Sequence, residues 1–374
     1  MAAKSSKIIT IGSSVVDIIA VIADNAIERV TLQNLTSSFL MLEEGRKVEA
    51  QSISDHVGGG AANAAVSFKR QGFDANVLSI LGQDLNAEKI LSQFRQEGIG
   101  TDLIVQLPDA RSGSSIILSS HDRNAAIFTY RGANALLTRD KVLDIDFGRY
   151  GAAYITSLSG ESEECFELLL KRAQEAGCFV AVNPGIRQLA SRANEFATLC
   201  KEMDLISLNR VEMETLLPEL LSLRHGPISI QFEDSFDSPP PLLANGLKFA
   251  AQKFSLVKGL SVLHELGPAK ILLTDGKEGA YYFDGEALYW CGTIKVTPVA
   301  TAGAGDAFTS TFVGQMMSGR SPRESLVAAT INAGKVISVV DTQSGLLSKR
   351  QLEAEVDSLI GKHPLRVWKV KTAG

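Results

Sequence analysis

Apolar strand-like segments alternate with amphipathic helical segments along most of this 374-residue chain. In "AEKILSQFRQEG", Ala87, Ile90, Leu91 and Phe94 recur at the spacing of one helix face. "ESEECFELLLKRAQEAG" ends at Gly177, a typical C-terminal glycine, and "CFVAVNP" follows as a strand. This alternation predicts an α/β fold, with a mostly parallel central sheet and helices on both of its faces.

Polar residues end three of the predicted strands. Asn183 follows "CFVAV", Asn209 follows "DLISL" and Thr274 follows "KILL". Each could be a turn residue when taken alone. Ligands of open α/β sheets bind outside the carboxyl ends of the strands, so the three together predict a single binding edge.

Two parts of the chain interrupt the alternation. Residues from about 13 to 55 and from about 103 to 130 contain alternating strand-like runs, such as "SSIILSS" and "AAIFTY", which predict a small β-sheet that forms a lid subdomain. The stretch from about 218 to 246 is turn-rich and contains three consecutive prolines. We expect it to be an irregular insertion within a single domain that spans residues 1–374.

Composition and charge argue against several classes of protein. The 37 basic and 42 acidic residues leave a net charge of −5, which gives no broad footprint for nucleic acid or anionic membrane. Cys165, Cys178, Cys200 and Cys291 show no metal-ligand or CxxC spacing. The apolar run near the N-terminus is interrupted by Asp17, and no uncharged run approaches the length of a membrane span. We expect a cytoplasmic protein.

The stretch "ATAGAGDAF" has the composition of an anion-binding turn. Gly303, Ala304 and Gly305 precede a helical pattern, and their small side chains allow a ligand to approach the N–H groups of a helix start. Such a turn suits a phosphoryl group, and Asp306 beside it could take a proton from an attacking hydroxyl. The helix dipole favours the ionised form of this carboxylate. The alternative is that Asp306 only caps the helix.

A second small-residue turn, "HVGGGAAN", precedes another predicted helix. Gly59 and Gly60 allow a substrate to rest on the backbone, and the amide of Asn63 can both donate and accept hydrogen bonds to a polyol. The alternative is a flexible loop before a capped helix. Asp17 lies within an apolar run, so it is either paired internally or accepts hydrogen bonds from ligand hydroxyls.

The ordered set of motifs resembles the ribokinase-like (PfkB) carbohydrate kinases along most of the chain. The matching segments are "IGSSVVD", "GGGAANAAVSFKRQG", "GQDLNAEKILSQFRQEGIGTD", "YRGAN", "NRVE", "TDGKEG" and "TAGAGDAF". The resemblance implies a ribokinase-like fold with a small β-sheet lid. It also implies an ATP- and Mg²⁺-dependent enzyme that phosphorylates a hydroxyl, most simply a primary one, of a small sugar.

The resemblance also implies a role for each matching residue. Asp306 is the expected general base, and the backbone of Ala302, Gly303, Ala304 and Gly305 is the expected anion hole. The expected substrate contacts are Asp17, Gly59, Gly60 and Asn63. The expected nucleotide contacts are Asn209, Thr274, Gly276, Gly279, Ala302 and Asn332. Asn209 and Glu212 are expected to organise Mg²⁺ beside the phosphates, with Glu212 binding the metal through water.

Some positions depart from the pattern of the family. Ala300 stands where the family usually has an acidic residue that helps to bind an activating monovalent cation, so potassium activation is not expected. Thr311 replaces a smaller residue, and the insertion has no usual counterpart. Family members often form homodimers through the lid, and a homodimer is the partner that the resemblance implies.

Three alternatives to a kinase of free sugars remain open at this level, and a fourth is disfavoured. A nucleoside kinase would need an apolar wall, for which Phe39, Ile117 and Phe128 are candidates, whereas a phosphorylated sugar would need a lid cation such as Arg123 or Arg131. The register of the lid strands decides between them, because side chains alternate between faces. A non-catalytic sugar- or nucleotide-binding protein would have no need of a base beside an anion hole. A nicotinamide-dependent dehydrogenase is disfavoured because neither glycine turn completes GxGxxG.

Overall fold

We describe a computed structural model of the chain, in which the described residues are 6–23, 28–31, 38–41, 45, 47–119, 126–224, 232, 236–249 and 252–371. The strands are β1 (Lys7–Ile11), β2 (Val15–Ile22), β3 (Glu28–Thr31), β4 (Ser38–Met41), β5 (Ala50–Gly58), β6 (Asp74–Leu78), β7 (Ile80–Gly82), β8 (Val105–Leu107), β9 (Ser114–Ser119), β10 (Ala126–Tyr130), β11 (Ala152–Thr156), β12 (Phe179–Asn183), β13 (Leu205–Asn209), β14 (Leu247–Phe249), β15 (Gln252–Phe254), β16 (Lys270–Thr274), β17 (Ala280–Phe283), β18 (Ala287–Cys291) and β19 (Leu365–Lys369).

The helices alternate with these strands over much of the chain. They are α1 (Gly60–Arg70), α2 (Leu85–Glu97), α3 (Arg139–Leu143), α4 (Phe166–Glu175), α5 (Ile186–Ser191), α6 (Ala193–Leu199), α7 (Arg210–Leu223), α8 (Pro241–Asn245), α9 (Leu256–Glu265), α10 (Ala304–Met317), α11 (Pro322–Val336) and α12 (Lys349–Leu359). No helix within the described ranges combines the length and the apolar character that crossing a bilayer requires.

A large mixed sheet forms the centre of the molecule. Within the described chain its strand order is β19-β18-β17-β16-β13-β12-β11-β1-β6. Neighbouring strands are parallel from β6 to β16, and β17, β18 and β19 extend the sheet in antiparallel pairs. The predicted α/β class with a mostly parallel central sheet is confirmed.

Alternate residues of the central strands enter two separate cores, which is why these strands read as continuous apolar runs. On β12, Val180 and Val182 face a core shared with α4, α5, α6, α7 and α9. Ala181, between them, faces the other core, which is shared with α1, α2, α10, α11 and α12. Helices therefore cover both faces of the sheet, and the carboxyl ends of the parallel strands lie at one edge.

A second, smaller sheet has the order β10-β9-β2-β5 and is called the small sheet below. Its strands come from both of the segments that we expected to form a lid. Strand β9 is parallel to β2 and antiparallel to β10, and β5 is antiparallel to β2. Residues 24–27, 32–37, 42–44, 46 and 120–125 of the predicted lid segments lie outside the described residues.

The stretch expected to be an irregular insertion is partly helical. Helix α7 continues to Leu223 with Pro218 inside it, and α8 begins at Pro241. The predicted start of the insertion, at about residue 218, is therefore too early. The apolar face of α7 that contains Leu217 and Leu220 is buried, and its packing keeps the helix intact past the proline. Residues 225–231 and 233–235 of this stretch lie outside the described residues.

Candidate active site

The turn before α10 places Asp306 inside the first helical turn. Gly303 is the N-cap residue with φ 76°, and the helix begins at Ala304, so Asp306 is its third residue. The alternative that Asp306 is the helix cap is therefore wrong. A Cβ added at Gly303 would lie 2.7 Å from the Cβ of Thr342, so both the backbone conformation and the packing call for glycine there.

The space over Gly305 is open. A Cβ added at this residue would meet no atom within 4 Å among the described residues, unlike one at Gly303. The first N–H groups of a helix have no intrahelical partner and carry a partial positive charge. The turn therefore offers an accessible place for an anion directly beside Asp306.

Asn63 connects the two glycine turns. It lies in the first turns of α1, and its amide nitrogen donates a hydrogen bond of 2.9 Å to Asp306 Oδ2. Its amide oxygen accepts hydrogen bonds from Thr342 Oγ1 at 2.8 Å and from Gln343 Nε2 at 3.1 Å. The amide orientation is therefore fixed by donors on one side, and the other side is held against the carboxylate.

Asp17 is paired within the protein. Ser115 Oγ donates a hydrogen bond to Asp17 Oδ1 from the neighbouring strand β9. His56 lies opposite Asp17 on β5. Asp17 Oδ2 occupies the position that a Cβ at Gly58 would take. Two roles were predicted for this carboxylate, and the structure shows the first of them, internal pairing.

The glycines of the second turn have a packing role in the structure. A Cβ at Gly59, whose φ is 96°, would lie 2.5 Å from the carbonyl oxygen of Ser13, and a Cβ at Gly60 would lie 3.0 Å from the Cβ of Thr156. Their side-chain positions face other parts of the chain, so packing also calls for glycine at both residues. The expected contact between a substrate and the backbone of these glycines stays a prediction.

Burial is the main cause of raised pKa values among the acidic groups of this region. Burial raises the pKa of Asp306, the hydrogen bond from Asn63 lowers it, and the charge of Asp17 raises it again. The net shift is upward, so burial outweighs the lowering that we expected from the helix dipole. Burial likewise raises the pKa of Asp17, against the hydrogen bond from Ser115 and the charge of His56.

Asn209 and Glu212 form a capping box at the start of α7. The backbone N–H of Glu212 donates to Asn209 Oδ1 at 3.0 Å, and the backbone N–H of Asn209 donates to Glu212 Oε2 at 2.8 Å. Burial raises the pKa of Glu212 to about 7, against the two hydrogen bonds with Asn209, and the charge of Asp306 raises it further. Within the described ranges no group of three acidic, histidine or cysteine side chains is arranged to hold a metal ion.

The predicted nucleotide residues divide into open and buried positions. Thr274 ends β16 directly beside Asn209, and a Cβ at Gly276 would meet no described atom within 4 Å. A Cβ at Gly279 would collide with the carbonyl oxygen of Cys291, so this glycine serves the packing of β17 on β18.

Asn332 is enclosed by protein. It is fully buried, donates to Thr311 Oγ1 at 2.8 Å and accepts from the backbone N–H of Leu347 at 2.9 Å. The structure gives its side chain a role in holding α11 against α10. A direct contact between this side chain and a nucleotide is not supported, because both of its polar ends are engaged inside the protein.

The pairing register of the small sheet shows on which face of the sheet each side chain lies. Thr129 pairs with Ser115, which pairs with Asp17, whereas Phe128 pairs with Ile116, which pairs with Ile18. Phe128 therefore lies on the face opposite to Asp17. Ile117 shares the face of Asp17 and is 5% exposed. Arg123 and the side chain of Phe39 lie outside the described residues.

Sequence reasoning missed the segment that follows α11. Asp341 Oδ1 accepts hydrogen bonds from the backbone N–H groups of Gln343 and Ser344 at 2.8 and 2.7 Å. This tight turn presents Thr342 and Gln343 to Asn63. The run "DTQSG" after an apolar helix was the available signal for a polar turn.

Comparison with known proteins identifies the family. The family model described as pfkB family carbohydrate kinase matches residues 19–350, and the chain belongs to that family. Members of the family are ATP-dependent kinases, and this chain is an enzyme of the same class. The expectation drawn from the resemblance is confirmed at this level.

Individual relatives are distant in sequence and close in fold. The ribokinase of Staphylococcus aureus (strain COL) is 22% identical over 318 residues, which are 85% of this chain and 92% of the relative. A nucleoside kinase of Methanocaldococcus jannaschii aligns with a TM-score of 0.71 at 16% identity, over 96% of this chain and all of that one. A putative ribokinase II from E. coli, in complex with ATP and Mg²⁺, aligns with a TM-score of 0.71 at 14% identity, over 94% and 99% of the two chains.

Proposed function

We propose that this enzyme transfers the terminal phosphoryl group of ATP to a hydroxyl of a small sugar, with Asp306 as the general base. The observation that carries the proposal is the position of Asp306. It lies in the first turn of α10, is bonded to Asn63, and stands beside an open backbone turn that suits an anion. The similarity to ribokinases supports a sugar as the acceptor.

The proposed reaction combines the transfer of a phosphoryl group with the transfer of a proton. The acceptor oxygen forms a bond to the γ-phosphorus of ATP as the bond between that phosphorus and the β-γ bridging oxygen breaks, and ADP leaves. The hydroxyl proton moves to the carboxylate of Asp306, which must be ionised at the start. A raised pKa makes Asp306 a stronger base, and the N–H groups of the 302–305 turn stabilise the charge on the transferring group.

The nucleotide and its metal are assigned to the edge formed by β13 and β16. Thr274 lies beside Asn209 at this edge, the space over Gly276 is open, and Glu212 is an acidic group whose pKa the charge of Asp306 raises. Mg²⁺ that is bound with a nucleotide keeps several waters and uses few protein ligands, which fits one carboxylate at this edge. When bound, the ion neutralises charge on the phosphates. With Ala300 in place of an acidic residue, we expect no activation by potassium.

The alternatives are less well supported by the described residues. Phe128, the aromatic candidate for a nucleoside wall, lies on the face of the small sheet opposite to Asp17. The same exposed face, with Ile18 and Ile116, supports the proposal that two copies associate through the small sheet. A non-catalytic binding protein would gain nothing from placing a carboxylate of raised pKa beside an anion turn.

The proposed function is tested by measuring ADP formation with Mg²⁺ and ATP over a panel of sugars and nucleosides. We expect acceptor-dependent ADP formation with at least one sugar and a product that is heavier by one phosphoryl group in mass spectrometry. A clear preference for nucleosides would establish the alternative within the family. Turnover that is the same with and without every acceptor would contradict the proposal.

A further inference from the structure

Arg70, the last residue of α1, is held by protein groups on two sides. Its Nη1 donates hydrogen bonds of 2.8 Å to the backbone carbonyl oxygens of Gln343 and of Leu346. Its Nε and Nη2 donate to the two carboxylate oxygens of Glu97 on α2, at 3.3 and 2.6 Å. Because the guanidinium group is planar and its donors have fixed directions, these bonds fix the two carbonyl groups relative to α1 and α2.

The segment that Arg70 holds, residues 341–346, also contacts the candidate site and is called the 341–346 turn below. Thr342 Oγ1 and Gln343 Nε2 donate to Asn63 Oδ1 at 2.8 and 3.1 Å. A Cβ at Gly303 would lie 2.7 Å from the Cβ of Thr342, so the same turn packs against the N-cap residue of α10. The 341–346 turn therefore connects Arg70 with Asn63 and with the anion turn.

Helix α1 contacts the 341–346 turn at two points. Asn63 and Arg70 stand at positions i and i+7 of the helix, about two helical turns apart, and lie on the same face. Asn63 contacts side chains of the turn, whereas Arg70 contacts its carbonyl groups. The side chains of Asn63, Thr342 and Gln343 are buried, so water does not readily replace a donor that a displaced turn withdraws from Asn63.

The hydrogen bonds from Arg70 to the turn go beyond what a link between two helices requires. The ion pair with Glu97 would join α1 to α2 without them. Hydrogen bonds from a charged donor are roughly twice as strong as those between neutral groups. The side chain of Arg70 is 24% exposed, so solvent competes only weakly for its donors. The position of the 341–346 turn therefore depends on Arg70.

We infer that Arg70 is a positioning residue for the proposed phosphoryl transfer. It holds the 341–346 turn in the place from which Thr342 and Gln343 fix the amide of Asn63, and this amide in turn orients Asp306. Arg70 thus acts on the proposed base through the turn and through Asn63. This inference rests on the proposed function and adds a residue to its machinery.

The first test replaces Arg70 by methionine, which keeps an unbranched stem and has no donors. The acceptor that supports the fastest ADP formation in the panel above is used with Mg²⁺ and ATP. We expect kcat to fall by about 5- to 20-fold, because the base loses part of its orientation. The acid limb of the kcat profile should move to higher pH, because a weakened hydrogen bond from Asn63 raises the pKa of Asp306. A merely structural role would lower the resistance to denaturant and leave the acid limb in place.

Two further variants complete this test. Arg70→Lys keeps the charge and a donor for the carbonyl groups, and should show a smaller change in the same direction; it also serves if Arg70→Met does not fold. Arg320→Met removes ion pairs with Glu324 and Glu353, is the matched control, and should leave both kcat and the acid limb unchanged. Wild-type kcat and acid limb in folded Arg70→Met, or in Arg70→Lys where Arg70→Met does not fold, would overturn the inference.

A double-mutant cycle tests the route through Asn63. In the Asn63→Ala background, Arg70→Met should change kcat by less than about twofold and should not move the acid limb further, because the connection to Asp306 is already broken. An undiminished effect of Arg70→Met in that background would overturn the inference.

A measurement without turnover separates this inference from the proposed function. The carboxyl carbon of Asp306 is titrated by carbon-13 NMR and assigned by comparison with Asp306→Asn. We expect the pKa of Asp306 to be higher in Arg70→Met and in Asn63→Ala than in the wild type. This rise in an enzyme that forms no ADP with any acceptor would uphold the positioning role and refute the proposed function. Transfer by the wild type with an unchanged pKa in Arg70→Met would overturn the inference and leave the proposed function in place.

Discussion

Asn63 donates a hydrogen bond of 2.9 Å to Asp306 across 243 positions of the chain. The bond joins the helix that follows one glycine turn to the helix that follows the other. It therefore fixes the position of the proposed base relative to the proposed acceptor site. The pKa of Asp306 also depends on it, because a donor to the carboxylate stabilises the charged form.

Replacing Asn63 by alanine should impair catalysis and move its pH dependence. Without this donor the pKa of Asp306 rises, so the acid limb of the kcat profile should shift to higher pH. We expect kcat to fall by about 10- to 100-fold, because a general base loses its orientation. Asn194→Ala, which removes an exposed asparagine of α6, is the control. An acid limb at the wild-type pH in Asn63→Ala would show that Asp306 does not set the profile.

Replacement by alanine should destabilise the fold much more at Gly303 than at Gly305, the two glycines of the anion turn. Gly303→Ala forces a side chain into a left-handed conformation and against Thr342, and should destabilise the fold by about 1–3 kcal/mol. Gly305→Ala has free space, so its stability should change by less than about 1 kcal/mol.

Transfer by Gly305→Ala should nevertheless fall by at least about tenfold, because the added methyl occupies the approach of the phosphoryl group. Denaturant unfolding and initial rates measured on the same preparations separate the two effects. If Gly305→Ala has the wild-type rate, the turn is not the anion site.

The enzyme should require more Mg²⁺ for half-maximal activity below neutral pH. The pKa of Glu212 is raised to about 7, so its carboxylate is ionised at pH 8 and about nine-tenths protonated at pH 6. The Mg²⁺ concentration for half-maximal activity should therefore rise by about tenfold between pH 8 and pH 6. Titrations of Mg²⁺ at fixed ATP across this range measure the shift.

Glu212→Gln tests the assignment without removing the helix cap. Glutamine can still accept the N–H of Asn209, but it has no charge to titrate. We expect a raised Mg²⁺ requirement that no longer varies between pH 6 and pH 8. Glu324→Gln changes the glutamate of the capping box of α11 and is the matched control. The same pH dependence in Glu212→Gln and in the wild type would exclude Glu212 as the titrating group.

The fold was largely predictable because its signals are local. The strand that ends at Asn183 and the helix that ends before Gly177 follow from apolar periodicity and terminal residues over about ten positions. The insertion was expected to begin at about residue 218, whereas α7 continues through Pro218 to Leu223, because its buried contacts outweigh the helix-breaking effect of one proline. Such contacts depend on the whole core and are not visible in a short window.

The sequence pointed to residues of the candidate site but not to the contacts between them. Asp306 and Asn63 each stood out beside a glycine turn, but nothing in either motif shows that they bond to each other. Thr342 and Gln343 were missed because they touch Asn63 only through the tertiary fold. The faces of Phe128 and Asp17 required the register of the small sheet, since a shift by one residue exchanges them.

The most direct test of the central claim measures Asp306→Asn for transfer and for nucleotide binding together. Asparagine keeps the size of the side chain and cannot accept the hydroxyl proton. We expect acceptor-dependent ADP formation to fall by about 10²- to 10⁴-fold, while the Kd for ATP, measured by calorimetry with Mg²⁺, stays within about threefold of the wild-type value. The exposed Asp357→Asn serves as the control and should match the wild type in both. An Asp306→Asn enzyme with the wild-type rate would contradict the account.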